Sequence, residues 1–213
     1  MWIERYITRK VITVGPRESL IKAKVLMASH CIRHLPVVDE NHRLVGIISD
    51  RDLRSALPMQ VRECIGNPRD VSPCVAIKAE DIMTRNPLTI SPDQTLQDVL
   101  VRFRDEKVGA FPVLDQEERL VGILSDRDML NGFIQLLGLG SPGTFLGVEV
   151  AATERGVKTV VDALTDAGFP IASMLVIRNW QPEAWAMFLY LLSQNLSGAR
   201  RVLKAEGLTL IDP

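Results

Sequence analysis

The stretch "GIISDRDL" at residues 46–53 recurs as "GILSDRDM" at residues 122–129, and this repetition indicates a duplicated structural unit. Shifting the chain against itself by 76 positions matches residues 8–53 to residues 84–129 without a gap. Two long copies do not make a solenoid, so we expect two similar units that face each other across a pseudo-twofold axis. Each unit would then contribute half of one hydrophobic core.

The similarity between the copies is uneven along their length. From residues 35 and 111 onward the copies agree at 12 of 19 positions, whereas the 27 preceding positions agree at only 6. This contrast indicates that the later part of each copy has a role beyond packing in the hydrophobic core.

Each copy reads as a short strand, a helix, a β-hairpin and a second helix. The strands are predicted at residues 11–14 and 88–90, and Ser19 and Thr95 are the predicted N-caps of the first helices. The next strands begin near a proline, and the chain returns after a polar turn. The last strand ends at a serine, where the second helix begins. The inward helix faces follow an i, i+3, i+7 spacing: Leu20, Ala23 and Met27 in one copy, Leu96, Val99 and Phe103 in the other.

The junction of last strand and second helix is the candidate binding site. A helix N-terminus offers free N–H groups to a phosphate, and the hydroxyl of Ser49 or Ser125 adds a donor. Asp52 or Asp128, three residues on, could accept hydrogen bonds from vicinal ribose hydroxyls. Gly46 and Gly122 would let a base or sugar approach the returning strand. Further phosphates could be neutralised by Arg51 and Arg127.

A purely structural interpretation exists for the same residues. S-x-x-D is also a capping-box pattern, in which the aspartate reaches back to the serine amide. A cap requires neither the strand glycine nor the second aspartate and arginine, so the duplicated context favours binding.

The pattern resembles the tandem CBS-domain module, or Bateman module, over about residues 1–135. Its features are a strand with hydrophobic-Pro-hydrophobic sequence and G-h-h-[ST]-x-x-D, both present twice. The resemblance implies binding of AMP, ADP, ATP or S-adenosylmethionine in clefts between the repeats, with serine near phosphate and aspartate on ribose. It makes Thr13 and Thr89 lesser candidates. The clefts need not be equivalent, since His34, a further candidate, is replaced by Ala110 in the second copy.

Composition excludes several other classes. Lys plus Arg (25) nearly balances Asp plus Glu (26), so no nucleic-acid partner is indicated. The apolar run at 184–192 is too short to cross a bilayer, and no signal peptide is recognised, so a cytoplasmic protein is expected. The three cysteines form no C-x-x-C pair, which fits reduced thiols and no zinc site.

Three weaker signals are discounted. "GLGSPG" at 138–143 fits G-x-G-x-x-G, but a helix is predicted before it and a strand after it, so it reads as a linker. His30 and His34 have the spacing of a metal pair, yet the helix is expected to end near His30. The D-x-D pairs read as surface carboxylates, although a nucleotide could bring Mg²⁺ with it.

The C-terminal third reads as βαββαβ, which predicts a four-stranded antiparallel sheet with both helices on one face, the ferredoxin-like arrangement. Its start resembles an ACT domain, whose first loop carries a glycine, here Gly156, although Thr153-Glu154-Arg155 replaces the usual residues before it. That loop is a candidate effector site. A domain that only dimerises is at least as well supported. CBS repeats followed by an ACT-like domain resemble the bacterial acetoin-utilisation regulators.

These expectations give an α/β (α+β) chain with predicted boundaries at 1–75 and 76–135 for the CBS repeats, 136–144 for the linker and 145–213 for the ACT-like domain. The function expected is a non-catalytic sensor of adenine nucleotides, a homodimer without a required cofactor, that signals to a regulated protein or to its own ACT-like domain. The alternative is a scaffold that only oligomerises. A catalytic role is not expected, because the G-x-S-x-G, H-E-x-x-H and P-loop signatures do not occur.

Overall fold

A computed structural model describes residues 2–56 and 77–211. The chain forms two compact units, Met1–Met129 and Leu130–Pro213. Cys31 is free and exposed, whereas Cys64 and Cys74 lie outside the described residues, so the reduced state of the thiols stays a prediction. Within the described residues, no helix is both long and apolar enough to span a membrane.

The first unit contains the two repeats in the predicted order of elements. A 3₁₀ helix (Ile3–Tyr6) precedes them. The first repeat has α1 (Leu20–Ser29), β1 (His34–Val38), β2 (Leu44–Ser49) and α2 (Asp50–Ala56). After it come α3 (Ala79–Ile82) and β3 (Thr84–Arg85). The second repeat has α4 (Leu96–Glu106), β4 (Ala110–Leu114), β5 (Leu120–Ser125) and α5 (Asp126–Leu136).

Local sequence signals account for these elements. The side chains of Ser19 and Thr95 cap α1 and α4 by accepting a backbone N–H three residues on, as predicted. The hairpins pair β1 with β2 and β4 with β5, antiparallel. The strands predicted at 11–14 and 88–90 are wrong in extent: only Val14 and Ile90 pair, each through one parallel bridge to β1 or β4.

The two repeats do not share one core, which corrects the expectation that each supplies half of it. Each repeat has its own cluster, completed by the segment that precedes the other repeat. Ile3 and Ile7 pack among buried residues of the second repeat, while Ala79 and Met83 pack among those of the first. Full burial of an aliphatic side chain stabilises by about 1.5–3 kcal/mol, so this exchange links the repeats strongly.

The strand glycines make room for the exchanged segments. A Cβ at Gly122 would lie 2.1 Å from Ile7 Cγ2, and a Cβ at Gly46 would lie 2.5 Å from Met83 Sδ. The space beside both glycines is therefore filled by the chain itself. Backbone pairing accompanies this packing: Thr8 exchanges two hydrogen bonds with Ile123, 3.0 and 3.1 Å long.

The second unit is a βαββαβ arrangement, as predicted. Its elements are β6 (Thr144–Ala151), α6 (Glu154–Asp166), β7 (Ile171–Gln181), β8 (Ala184–Leu191), α7 (Leu196–Ala205) and β9 (Thr209–Ile211). The sheet order is β7-β8-β6-β9 and every pair is antiparallel. Both helices pack on one face, where Val160, Leu164 and Leu203 are buried against the sheet.

Two details of the C-terminal third are now defined. The G-x-G-x-x-G stretch lies between α5 and β6, as predicted, so it does not open a helix after a strand. Gly156 is not in a loop: α6 begins at Glu154, and Gly156 lies in its first turn. A Cβ there would lie 2.6 Å from the carbonyl oxygen of Ala151, so the glycine permits close packing of helix on strand.

Candidate functional site

Two clefts of the first unit are lined by the serine, arginine and aspartate predicted at each strand–helix junction. The Ser49 cleft is lined by Ser49, Arg51 and Asp52 from the β2–α2 junction, and the Ser125 cleft by Ser125, Arg127 and Asp128 from the β5–α5 junction. Each cleft also receives residues of the other repeat, so neither is formed by one repeat alone. Equivalent positions recur 76 residues apart, in the pairs Thr8 and Thr84, Lys10 and Asn86, Ile12 and Leu88, Ile32 and Val108.

The clefts differ in size. The Ser49 cleft has a volume of about 590 Å³ and the Ser125 cleft about 140 Å³. Sites for small molecules usually span roughly 300–1,000 Å³. The Ser49 cleft is therefore large enough for a nucleotide as it stands, whereas the Ser125 cleft would have to widen.

The Ser–Asp pairs have the same geometry in both repeats. The backbone N–H and the hydroxyl of Ser49 both donate to Asp52 Oδ2, over 2.8 and 2.6 Å, and the N–H of Asp52 lies 3.3 Å from Ser49 Oγ. Ser125 and Asp128 repeat these three distances. The capping-box interpretation is therefore correct for both junctions.

Capping leaves part of each carboxylate open. Both bonds from serine go to Oδ2, and no described residue donates a hydrogen bond to Oδ1 of Asp52 or Asp128. Both side chains are half-buried, and the hydrogen bonds from serine hold each carboxylate at the start of its helix. A ligand hydroxyl can bind Oδ1 without breaking the cap, so capping and ligand binding are compatible.

Three residues line both clefts: Arg33, His34 and Asp126. Arg33 forms an ion pair of 3.2 Å with Asp126 of the second repeat. Its counterpart in the second repeat is Gly109, and a Cβ there would lie 2.7 Å from the ring of His34. The two repeats therefore break their symmetry at this point, since His34 occupies the space that a second arginine would need.

The pKa of His34 lies below its ordinary value. Burial of the imidazole is the main cause, because it disfavours the charged form. Asp126 opposes this shift, Arg33 adds to it, and Asp52 and Asp50 oppose it more weakly. His34 therefore faces the clefts mainly as a neutral ring at pH 7.

We expect stability to fall as His34 is forced to protonate. A pKa lowered by folding contributes stability above the unfolded value of 6.5, and this stability is lost as pH falls from there through the folded pKa. The loss of unfolding free energy between pH 7.5 and 5.5, measured by urea titration, should be smaller in His34→Gln than in the wild-type chain. An equal loss in His34→Gln would contradict the role of this ring.

The other predicted residues divide into two groups. Gly46 and Gly122 are buried beneath the exchanged segments, and a ligand role for them stays a prediction. Thr13 and Thr89 are not among the described residues that line either cleft; Thr8 and Thr84 are. The sequence signal that could have identified Thr8 and Thr84 is their equivalence under the 76-residue shift.

Each acidic pair contributes one carboxylate to an ion pair. Asp50 pairs with Arg54 at 2.8 Å, and Asp126 pairs with Arg33. Across residues 2–56 and 77–211, no group of three or more His, Cys, Asp or Glu could hold a metal ion. His30 and His34 are separated as predicted, because α1 ends at Ser29 and His34 opens β1.

The family model described as CBS domain matches residues 3–59 and 79–134, more than half of the chain. The first curated relatives are longer proteins: the chain spans 22% of two of them, which are 33% and 30% identical over the matched residues. The match therefore concerns only one part of those proteins.

Several solved structures resemble this chain over nearly their whole length, whereas the matched region is only part of this chain. AcuB from Vibrio cholerae, whose name refers to acetoin utilization, is 31% identical, with TM-score 0.54, 66% of this chain covered and 95% of that one. CBSX2 from Arabidopsis thaliana in complex with AMP is 26% identical, with TM-score 0.52 and coverages of 63% and 96%. The CBS domain pair of MJ0100, in complex with 5'-methylthioadenosine and S-adenosyl-L-methionine, is 28% identical, with TM-score 0.53 and coverages of 62% and 95%.

Proposed function

The chain belongs to the CBS-domain family, and from this premise we propose that it is a non-catalytic regulatory protein that senses adenine nucleotides. The observation that carries the proposal is the duplicated Ser–Asp pair, which lines a cleft in each case and keeps Oδ1 of the aspartate open. AMP in CBSX2 and S-adenosyl-L-methionine in the MJ0100 pair are adenosine derivatives with the vicinal hydroxyls such a carboxylate can bind.

The lining of the Ser49 cleft supports a phosphorylated ligand. Apolar contact for a base comes from Ile47, Leu88 and Val108. Four cationic side chains, Arg33, Arg51, Arg54 and Lys107, stand against three carboxylates, Asp50, Asp52 and Asp126. Arginine binds phosphate through paired N–H donors. We place the ribose on Asp52, the phosphate near Ser49 and Arg51, and the base against the apolar wall, with the same arrangement for Ser125, Arg127 and Asp128.

Regulation requires that the ligand bind one conformation better than another. Each cleft contains residues of both repeats, so a bound nucleotide favours one arrangement of the repeats over others. We propose that this change is passed to a regulated protein or to the second unit, with no cofactor required and Mg²⁺ entering only with ATP or ADP. The domain boundaries proposed for this arrangement are 1–75 and 76–135 for the CBS repeats, 136–144 for the linker and 145–213 for the second domain. The protein is proposed to act in the cytoplasm.

The second unit is proposed to be an ACT-like, ferredoxin-like domain, as in a regulator related to acetoin utilisation. A specific observation favours self-association: the sheet face opposite the helices is apolar, with Phe145 50% and Leu175 52% exposed. Trp180 extends this face by an edge-to-face contact with Phe188. A homodimer would bury such a surface. Gly156 serves helix packing, so an effector site at α6 is the weaker proposal.

Calorimetric titration of the full chain with AMP, ADP, ATP and S-adenosyl-L-methionine tests the sensor proposal. We expect saturable binding of at least one of them, with no chemical turnover of the bound compound by product analysis. Adenine-free ribose 5-phosphate is the control and should bind far more weakly. If no ligand binds while sedimentation still shows assembly, the chain is a scaffold and the sensor proposal is wrong.

A further inference from the structure

The strongest remaining feature is the trio Arg33, His34 and Asp126, because these residues line both clefts at once. The trio is asymmetric. Repeat symmetry would place a second arginine at residue 109, but glycine stands there and His34 fills the space. Among the described residues, Arg33 is the one cation that both clefts share.

The ion pair of Arg33 with Asp126 can be displaced. Its two side chains are 55% and 54% exposed, and ion pairs exposed to this degree contribute little to stability. A phosphate group has more charge than a carboxylate and binds guanidinium through two parallel bonds. A nucleotide phosphate in either cleft would therefore compete with Asp126 for Arg33.

Losing Arg33 has a consequence for the other cleft. Asp126 opens α5 next to Ser125, so its carboxylate belongs to the lining of the Ser125 cleft. Once Arg33 turns to a phosphate in the Ser49 cleft, Asp126 loses this ion pair and keeps the 2.7 Å hydrogen bond that the backbone N–H of Arg127 donates to its Oδ1, so its negative charge is no longer balanced by Arg33. A second phosphate would meet that charge and would lack the shared cation.

We propose that Arg33 couples the two clefts, so that a nucleotide phosphate in the Ser49 cleft weakens the binding of a second anionic nucleotide in the Ser125 cleft. The inference rests on the proposed function. The Ser49 cleft fills first because it is already large enough for a nucleotide. Binding at one coupled site commonly changes the affinity of the other site roughly 5- to 150-fold, and we expect roughly tenfold weaker binding of the second nucleotide from this single cation.

The experiment compares AMP with adenosine, which has the same base and ribose but no phosphate. Calorimetry of the full chain gives the ratio of second to first dissociation constants for each ligand. The adenosine ratio reports the unequal shapes of the clefts, so the coupling is the factor by which the AMP ratio exceeds it. We expect roughly tenfold, or one bound AMP against two bound adenosines if the coupling is stronger.

Two variants separate the parts of the mechanism. Asp126→Asn removes the released charge and should lower the AMP ratio toward the adenosine ratio, while the competition of two phosphates for Arg33 remains. Arg33→Gln should weaken the first AMP more than it weakens adenosine, and it should abolish the excess ratio. Both positions are exposed, so folding should be retained. Arg43→Gln is the matched control, because Arg43 is exposed and is not among the residues that line either cleft.

The outcomes distinguish this inference from the proposed function. If both ligands bind with equal ratios, or if Arg33→Gln leaves the AMP ratio unchanged, Arg33 does not couple the clefts although the protein binds nucleosides. One bound equivalent of each ligand overturns the coupling in the same way. If neither AMP nor adenosine binds, the nucleotide proposal itself fails.

Discussion

Asp52→Asn is expected to lower the affinity of the Ser49 cleft for AMP roughly 10- to 150-fold while the chain keeps its fold. A hydrogen bond to a charged group contributes about 1.5–3 kcal/mol, and each 1.4 kcal/mol is a tenfold change in dissociation constant. Asparagine can keep the cap, because its oxygen can still accept from Ser49. Its NH₂ group then replaces Oδ1, where the ribose hydroxyls need an acceptor. Calorimetry with AMP, together with urea unfolding, measures both effects.

A matched control exists in the same unit. Thr95 and Asp98 form a capping box of the same kind, in which Asp98 Oδ2 accepts from the backbone N–H of Thr95 over 3.3 Å. Asp98 does not line either cleft. Asp98→Asn should therefore change stability as Asp52→Asn does and leave AMP affinity unaltered. Unchanged affinity in a folded Asp52→Asn chain would show that Asp52 is a cap and nothing more.

Gly122→Ala should destabilise the first unit by about 2–3 kcal/mol, toward the upper end of the cost of overpacking. The added Cβ would overlap Ile7 Cγ2, 2.1 Å away, and Ile7 cannot move freely because Thr8 is bonded to Ile123. The first repeat's preceding segment would have to shift away from the second repeat. The decrease appears as a lower urea midpoint with little change in slope.

Two further variants make this result specific. Gly15→Ala adds a methyl group in the same unit at an ordinary contact distance, 3.5 Å from Glu18 Cγ, and should cost little. Combining Gly122→Ala with Ile7→Ala removes the Ile7 methyl group that the new Cβ would overlap. The double variant should therefore be more stable than the sum of the two single effects predicts. If Gly122→Ala has the same urea midpoint as the wild-type chain, residue 7 does not pack closely against β5.

Local patterns predicted much of the fold and the centre of the site. The serine and aspartate of each junction are three residues apart, so one turn of helix is enough to bring them together. The helix caps and hairpins follow from signals within a few residues. The same locality explains the error at residues 11–14 and 88–90, because an apolar run does not reveal that only one residue finds a partner.

The sequence alone determined that the chain contains two similar units, that each ends in a Ser–Asp junction, and that a βαββαβ segment follows. Only the tertiary structure decided that each repeat is completed by the segment before the other, and that Arg33 meets Asp126 across 93 residues of chain. Such contacts depend on which apolar surfaces are buried against each other in the folded chain. The symmetry of the repeats would allow each segment to pack on its own repeat or on the other one. Gly46 and Gly122 leave space for the crossing segment in either arrangement, and the structure shows the exchanged one, with Met83 beside Gly46 and Ile7 beside Gly122.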